Sequence, residues 1–419
     1  MSVGLPWSVA GRYGRLKGAV RTAYDRAFLD LARRRRPRQT DTGYIAVTGS
    51  CAKTTTMWLI AAALPARRST RSRYPHSCDP RDMADAILSV GRDDRHAVIE
   101  MSAAPPGFIA DWLPLVRPTI GVVTLIGDDH YSTFRGPAAA AREKGTLVEA
   151  LPDDGVAVLN ADDPHVGPMA ERTRARVLTF GLGETADVRG SDIAAQWPGR
   201  LSLAVRHGDE RVAVETQLVG RHQAHSVLAA MAVGVAAGVP LATTARRIAT
   251  MAPVPGRMCP VETVDGITFL DDRAKAPLWS MSAAFEVLRT ARARRKVAVI
   301  GHISDYPGNA RRAYKRTAES ALQAADLAVF VGPRALSARY AAHDSGAGRL
   351  RMFETPAAAQ DYLKGALAAG DLVLLKGSQK VDHMERYILA RSGDIACWRT
   401  NCGRRVHCLE CPLRRRPDQ

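Results

Sequence analysis

The sequence predicts an α/β protein with two doubly wound domains, and three observations support this fold class. From Tyr44 onward, short apolar runs alternate with amphipathic helical stretches, as in a parallel sheet covered by helices. The pattern is interrupted at residues 186–217 and at the Pro/Gly-rich residues 252–257, after which it resumes. With 419 residues, the chain is also longer than one hydrophobic core normally serves. We therefore expect a larger domain followed by a smaller one.

Apolar runs predict the strands of both sheets. Those of the first sheet are YIAVTGS, HAVIEMS, TIGVVTLI, GVAVLNA and RVLTFG, and those of the second are KVAVIGHI, LAVFVG and DLVLLKGS. Residues 186–217 alternate in polarity around a Gly-Asp turn, which predicts a small antiparallel hairpin. The Ala-rich residues 227–241 fit a buried helix, since no apolar run is long enough to cross a bilayer. A signal peptide is not expected either, so the expected location is the cytoplasm.

The net charge of +17 is uneven along the chain. Residues 1–42 carry ten Lys and Arg side chains against three Asp, with apolar residues recurring at helical spacing among them. Such a basic helical segment could contact an anionic membrane surface or an acidic partner. We favour a helix packed on its own protein with a solvated basic edge, because the chain is rich in arginine throughout. Nucleic acid is not expected as a partner, since no stacking aromatic residues interleave with the basic clusters.

The segment VTGSCAKTTT, residues 47–56, has the order of a nucleotide-binding loop: a strand, a turn of small residues, and a Lys-Thr pair at a helix start. Backbone N–H groups and the lysine would hold phosphate oxygens, and a hydroxyl would bind Mg²⁺. Ala52 replaces the usual glycine, which costs about 1–2 kcal/mol if φ is positive there. We interpret the loop as a working but modified ATP site. Its candidate residues are Gly49, Ser50, Cys51, Ala52, Lys53, Thr54 and Thr55.

Three further candidate site residues follow the loop along the sequence. Glu100 ends a predicted strand on the ligand side of the sheet, His130 follows the next strand, and Lys144 precedes GVAVLNADDP. In this order and spacing the sequence resembles the central domain of the Mur ligases, ATP-dependent enzymes that form amide bonds. The resemblance implies that Lys53, His130 and Lys144 are catalytic. It also implies that Lys144 is carbamylated at a ligand-facing position, and that the Mg²⁺ ligands are Thr54, Glu100, His130 and Lys144.

The resemblance extends over about residues 44–390. LVGRHQAHS is similar to a helix start beside the nucleotide base, PVPGRM to a hinge arginine, and FLDDRAKAP to a segment that contacts the ribose. Gln223 and Ser226 stand where the family has asparagines, while Arg273 and Lys275 replace a tyrosine and a histidine. The residues that the resemblance places at the nucleotide in this region are His222, Gln223, Arg257 and Asp272.

The resemblance also divides the chain into four parts. A basic N-terminal helical segment (residues 1–42) precedes a central ATP-binding domain (43–253) with a P-loop and a mostly parallel sheet, like that of MurF and MurE. A smaller Rossmann-like C-terminal domain (254–394) and a cysteine-rich tail (395–419) follow. Because about forty residues precede the loop, we expect no UDP-sugar domain. The chain then resembles the short branch of poly-γ-glutamate, cyanophycin and folylpolyglutamate synthetases and MurT.

The tail concentrates four of the seven cysteines in CWRTNCGRRVHCLECP. Thiolates at this spacing can converge on one tetrahedral ion, so zinc is the first expectation and an iron–sulfur cluster the second. Disulfides are disfavoured in a cytoplasmic setting. His407 could replace one cysteine. The predicted zinc ligands are Cys397, Cys402, Cys408 and Cys411.

These features predict an ATP-dependent, ADP-forming ligase that joins a carboxylate to an amine through an acyl phosphate. The substrates would be amino acids or peptides, or ammonia delivered by a glutaminase partner. One alternative is a non-catalytic nucleotide-binding scaffold protein with a degenerate P-loop. A second is a nucleic-acid or partner-binding module built from the tail and the basic segment.

Overall fold

The chain folds around two β-sheets that follow one another along the sequence. The computed structural model describes residues 25–64, 69–71, 80–103, 106–128, 131–341, 348–400, 402–404 and 406–416. Residues up to Ala249 form the first sheet and its helices, and the second sheet begins at Cys259. The Pro/Gly-rich residues 252–257 therefore connect two α/β units.

The first sheet has nine strands. They are β1 (Gly43–Thr48), β2 (Ser69–Arg71), β3 (His96–Glu100), β4 (Ile120–Val123), β5 (Val156–Asn160), β6 (Arg176–Gly181), β7 (Val188–Ala194), β8 (Ser202–His207) and β9 (Glu210–Glu215). Their order is β2-β3-β1-β4-β5-β6-β7-β8-β9. Pairing is parallel from β2 to β7 and antiparallel from β7 to β9. The carboxyl ends of β1, β3 and β4 lie side by side, which is where ligands bind in such sheets.

Helices cover both faces of this sheet. They are α1 (described over residues 25–35), α2 (Lys53–Ala63), α3 (Pro80–Leu88), α4 (Phe108–Val116), α5 (Tyr131–Phe134), α6 (Pro137–Glu149), α7 (Ala224–Ala236) and α8 (Leu241–Ala249). On one face, α2, α7 and α8 share a core with alternate residues of the central strands. On the other face, α3, α4 and α6 do the same. The predicted buried helix corresponds to α7, whose residues from Val227 to Gly234 are all buried.

The five strands predicted for the first sheet are confirmed as β1, β3, β4, β5 and β6. The predicted hairpin at residues 186–217 was too small, because the segment forms the three strands β7, β8 and β9. Since β7 pairs in parallel with β6, these strands extend the main sheet. The Gly-Asp turn does join two of them, β8 and β9.

The second sheet has six strands. They are β10 (Cys259–Glu262), β11 (Thr268–Asp272), β12 (Arg295–Ile300), β13 (Leu327–Val331), β14 (Leu350–Phe353) and β15 (Asp371–Lys376), in the order β10-β11-β15-β12-β13-β14. Only the pairing of β10 with β11 is antiparallel. The covering helices are α9 (Met281–Thr290), α10 (Ala310–Ala324), α11 (Pro356–Ala366) and α12 (Glu385–Leu389). The three predicted strands correspond to β12, β13 and β15.

The described part of the basic N-terminal segment packs on the first domain. Phe28 and Leu29 of α1 contact the core beneath α3, and Ala32 is buried there. Arg35 donates a hydrogen bond to Val90 O (2.9 Å), just after the end of α3. The guanidinium of Arg36 lies 3.8 Å from the centroid of the Tyr44 ring. This part of the segment thus behaves as a helix packed on its own protein, while residues 1–24 of the prediction lie outside the described residues.

Within the described ranges, no helix combines the length and the apolar character needed to span a membrane.

Candidate active site

A cavity of about 300 Å³ lies where the two domains meet. Its walls come from the loop after β1, the end of β3, the start of α7, the hinge, and the ends of β11 and β15. Among the residues predicted from the sequence, it is lined by Ser50, Cys51, Ala52, Lys53, Thr54, Thr55, Glu100, His222, Gln223, Arg257 and Asp272. Residues distant in sequence therefore converge on one cleft, as the order of the motifs led us to expect.

The phosphate loop is held by the loop that follows β4. Ser50 N donates to Leu125 O at 2.7 Å, and the Thr124 hydroxyl donates to Cys51 O at 2.7 Å. Gly49 has φ +143°, and a Cβ there would stand 1.9 Å from Thr124 Oγ1, so this glycine is needed for the close approach. Ala52 has φ 64° and ψ −6°, the left-handed conformation. Because alanine replaces the usual glycine, a residue with a methyl group occupies a backbone conformation that favours glycine.

Lys53 and Thr54 start α2 with their side chains turned toward the loop and toward β3. Lys53 Nζ donates to Gly49 O at 2.8 Å, closing the loop on itself. The Thr54 hydroxyl donates to Glu100 Oε2 at 2.8 Å, and the Ser102 hydroxyl donates to Oε1 at 3.2 Å. A hydroxyl and a carboxylate so close together are the hard oxygen ligands that suit Mg²⁺. Burial raises the pKa of Glu100, against the opposing charges of Lys53 and Arg257.

The hinge arginine reaches from the second domain into the phosphate loop. Arg257 Nη2 donates to Thr54 Oγ1 at 3.4 Å. The hinge itself is tied to β11, since Gly256 N donates to the buried Asp271 carboxylate at 3.2 Å. Arg257 and Lys53 thus both place a positive charge near Glu100, and two cations from two domains can contact one phosphate chain.

Asp272 and Lys376 stand side by side at the ends of β11 and β15. Lys376 Nζ donates to Asp272 Oδ2 at 2.6 Å, in line with the register that pairs these two residues. Sequence reasoning did not single out Lys376, although it lines the cavity. Trp279 also lines the cavity and was missed; its ring lies so close to Gly127 that a Cβ at this glycine would stand 3.0–3.1 Å from three ring atoms. No local sequence signal marks either residue, because each depends on tertiary neighbours.

His222 and Gln223 form the wall on the side of α7. Gln223 is buried, and burial lowers the pKa of His222, which favours the neutral imidazole near pH 7. Gly220 makes room for this ring, since a Cβ at Gly220 would lie 2.7 Å from His222 Cε1. The pair therefore offers neutral hydrogen-bonding groups to whatever occupies this end of the cavity.

Lys144 is a buried residue of the first domain. It lies on α6 with its side chain 0% exposed, and its Nζ is 5.7 Å from the centroid of the Phe134 ring. Neither Lys144 nor Gly49 is one of the described residues that line the cavity. The role of Lys144 as a carbamylated metal ligand stays a prediction. Its predicted partner His130 lies outside the described residues.

The tail folds back onto the second domain. Within the described residues, the potential metal-binding group of three side chains is His383, Glu385 and Cys408, whose ligand atoms lie within 4.8 Å of one another. Cys408 is the one member of this group that was also predicted as a zinc ligand from the sequence. No disulfide joins the described cysteines. Burial raises the pKa of the Cys408 thiol, and the nearby Glu385 acts in the same direction.

Comparison with known proteins agrees with this geometry. A family model described as "Mur ligase middle domain" matches residues 47–234, and one described as "Mur ligase, glutamate ligase domain" matches residues 256–379. A UDP-N-acetylmuramoyl-tripeptide–D-alanyl-D-alanine ligase of Mycobacterium leprae is 31% identical over 367 residues, which are 80% of this chain and 71% of that relative.

The chain belongs to the Mur ligase family. The enzyme class predicted from the sequence, an ATP-dependent and ADP-forming ligase that makes amide bonds, is thereby confirmed. A UDP-N-acetylmuramoyl-L-alanyl-D-glutamate–2,6-diaminopimelate ligase of Geobacillus thermodenitrificans is 34% identical over 276 residues, covering 62% of this ligase and 55% of the relative. Membership of the short branch of the family stays a prediction.

Solved structures support the same fold. MurF from Acinetobacter baumannii superimposes with a TM-score of 0.77 at 24% identity, covering 88% of this ligase and 80% of that chain. MurF from Thermotoga maritima, solved in complex with ADP, gives a TM-score of 0.74 at 21% identity, with 88% and 82% covered. The predicted fold class, a mostly parallel central sheet with a second, smaller α/β domain, is confirmed.

Proposed function

We propose that this ligase activates a carboxylate as an acyl phosphate and transfers the acyl group to an amine in the cavity between its two domains. The carboxylate oxygen attacks the γ-phosphorus of ATP and ADP leaves. The amine nitrogen then attacks the acyl carbon, phosphate leaves, and the amine releases a proton. The observation that carries the proposal is the meeting of Lys53, Thr54 and Glu100 with Arg257 of the hinge at one cavity.

The residues at the loop fit a magnesium nucleotide. Thr54 and Glu100 supply a hydroxyl and a carboxylate 2.8 Å apart, which are oxygen ligands of the kind that Mg²⁺ prefers. When bound, Mg²⁺ would neutralise charge on the phosphates. Lys53 and Arg257 would hold phosphate oxygens from the two domains and stabilise charge on the transferred group. Asp272 would orient the ribose and His222 with Gln223 the base, as proposed from the family resemblance.

Lys144 is proposed to act as a carbamate. Uptake of CO₂ converts the ammonium into an anion, which could serve as an oxygen ligand together with His130. The complete burial of Lys144 argues against a solvated surface lysine.

The substrates are proposed to be small amino acids or peptides. The names of the relatives specify UDP-N-acetylmuramoyl peptides as acids and D-alanyl-D-alanine or diaminopimelate as amines, so these are the first compounds to test. Ammonia from a glutaminase partner is a further amine to include.

Two additional proposals concern other parts of the chain. The basic N-terminal segment is proposed to contact a membrane surface. The cysteine tail is proposed to bind a metal ion, with zinc as the first candidate and an iron–sulfur cluster as the second.

A coupled ADP-release screen tests the proposed reaction. Carboxylates and amines are added singly and in pairs, and amide products are identified by mass spectrometry. We expect ADP release that requires both substrates, and a matching amount of amide. Lys53→Ala should abolish turnover while the circular dichroism spectrum and melting temperature stay close to the wild type, because this side chain acts on phosphate and not on the core.

Two results would contradict the proposal. ATP binding without any substrate-dependent ADP release would instead support the non-catalytic scaffold. Undiminished turnover in Lys53→Ala would place the nucleotide elsewhere.

A further inference from the structure

We propose that the tail's metal ion is bound by His383 and Glu385 of the C-terminal domain together with Cys408, and not by tail cysteines alone. This inference rests on the tail metal proposed above and changes its ligand set. Nitrogen, oxygen and thiolate sulfur from these three residue types are all established zinc ligands. The ion would join the tail to the start of α12 and the residues just before it.

The geometry of the three side chains supports a shared ion. Their ligand atoms lie within 4.8 Å of one another, and the side chains of His383 and Glu385 are 1% and 2% exposed. Cys408 is buried beside them. A metal ion could bind all three ligand atoms at once, in addition to the contacts that Glu385 already makes.

His383 has a nitrogen available for such an ion. Its Nδ1 lies 3.4 Å from Glu385 Oε1, while Nε2 is buried and has no hydrogen-bond partner in the part of the chain that the structure describes. An unsatisfied buried nitrogen costs free energy that coordination would recover. The backbone of His383 has φ 46°, a conformation that is uncommon for residues other than glycine. Arg386 fixes this conformation by donating to His383 O at 3.0 Å.

Glu385 connects the proposed site to its surroundings on both sides. Its Oε1 accepts a hydrogen bond from Cys408 N at 3.1 Å, which ties the carboxylate to the tail. Its Oε2 forms a buried ion pair with Arg273 Nε at 2.9 Å. Arg273 directly follows Asp272, a residue of the active-site cavity. Three protein ligands leave one position of a tetrahedral ion, which a tail thiol such as Cys402 can supply.

His407, the histidine of the cysteine-rich segment, already has contacts at both ring nitrogens. Its Nδ1 accepts a hydrogen bond from Leu409 N at 3.1 Å, and its Nε2 contacts Arg273. Both ring nitrogens are therefore engaged, in contrast to His383. The geometry thus selects a histidine outside the cysteine-rich segment over the histidine within it.

The test compares zinc binding by the full-length protein and by His383→Asn. Asparagine tolerates a positive φ but is a poor zinc ligand, so the backbone should be retained while coordination is lost. His207→Asn, at the last residue of β8, is the matched control. Metal content is measured by mass spectrometry and zinc affinity by competition with a chromophoric chelator. Cobalt replacement adds a visible spectrum that reports thiolate and imidazole ligands.

We expect about one zinc per wild-type chain and per His207→Asn chain. The affinity of His383→Asn should fall at least about 100-fold, since loss of an outer-shell partner alone can cost 10–100-fold. In trypsin digestion, chelator treatment should expose the arginine-rich tail of the wild type, and the variant should be cut without chelator.

Two outcomes would overturn the inference. Unchanged zinc affinity in His383→Asn, with affinity lost in Cys402→Ser, would indicate a site of tail cysteines alone. A wild-type chain that binds neither zinc nor cobalt would refute the tail metal as well. Neither outcome touches the proposed ligase reaction, which the ADP-release screen tests separately.

Discussion

Replacing Ala52 by glycine should stabilise the ligase. Ala52 stands in the left-handed region at φ 64°, where a residue with a Cβ pays about 1–2 kcal/mol. Glycine removes that strain but gains conformational freedom in the unfolded chain, which costs about 0.4–1 kcal/mol. The difference is a net gain of about 1 kcal/mol. For a domain of about 200 residues this corresponds to a rise in melting temperature of about 2–4 °C.

Thermal unfolding followed by circular dichroism measures this change, and calorimetric titration with ATP shows whether the loop still binds. ATP affinity should be no weaker than in the wild type, since the loop's hydrogen bonds are made by the backbone. Two control substitutions should change the melting temperature in the opposite direction. Ala52→Val should lower the melting temperature, because a β-branched residue is disfavoured at positive φ. Gly49→Ala should lower it too, since the new Cβ would stand 1.9 Å from Thr124 Oγ1.

A lower melting temperature for Ala52→Gly, or clearly weaker ATP binding, would refute this reasoning. It would mean that the Ala52 methyl group makes a packing contact worth more than the backbone strain.

Three further substitutions test the site. Glu100→Gln should lower turnover about 100-fold or more with little change in melting temperature, because a metal ligand is lost; normal Mg²⁺ dependence would show that Glu100 is not a ligand. Lys144→Arg should be inactive, since a guanidinium cannot take up CO₂, and normal turnover would refute the carbamate. Because burial lowers the pKa of His222, wild-type stability should fall as pH drops below about 6.5, where the unfolded chain takes up the proton. Denaturant titrations of His222→Gln should show a smaller fall, and an identical pH dependence would contradict the assignment.

Much of the fold could be predicted because buried parallel strands are continuous apolar runs. β1, β4 and β5 stand out in the sequence for this reason. Edge strands were missed: β2 and β10 are short, and β10 contains a proline. Such strands need pairing with a neighbour to be recognised, and that pairing is a tertiary property.

The candidate site likewise contains some residues that the sequence predicts and others that it does not. Glu100 ends β3, and Lys53 and Thr54 begin the helix that follows β1, so their place at the carboxyl edge of the sheet could be predicted from the sequence. The ion pair of Lys376 with Asp272 depends on the register of two strands about one hundred residues apart, which no local pattern records. The burial of Lys144 depends on which face of α6 packs inward, and a charged side chain gives no sign of that.

The most direct test of the proposed reaction is the transfer of ¹⁸O from substrate to phosphate. The substrate pair that supports ADP release is supplied with an ¹⁸O-labelled carboxylate, and the phosphate released is examined by mass spectrometry. An acyl phosphate requires that one labelled oxygen leaves with each phosphate, so the ligase should yield singly labelled phosphate in step with amide formation. Unlabelled phosphate accompanied by amide would contradict the acyl phosphate.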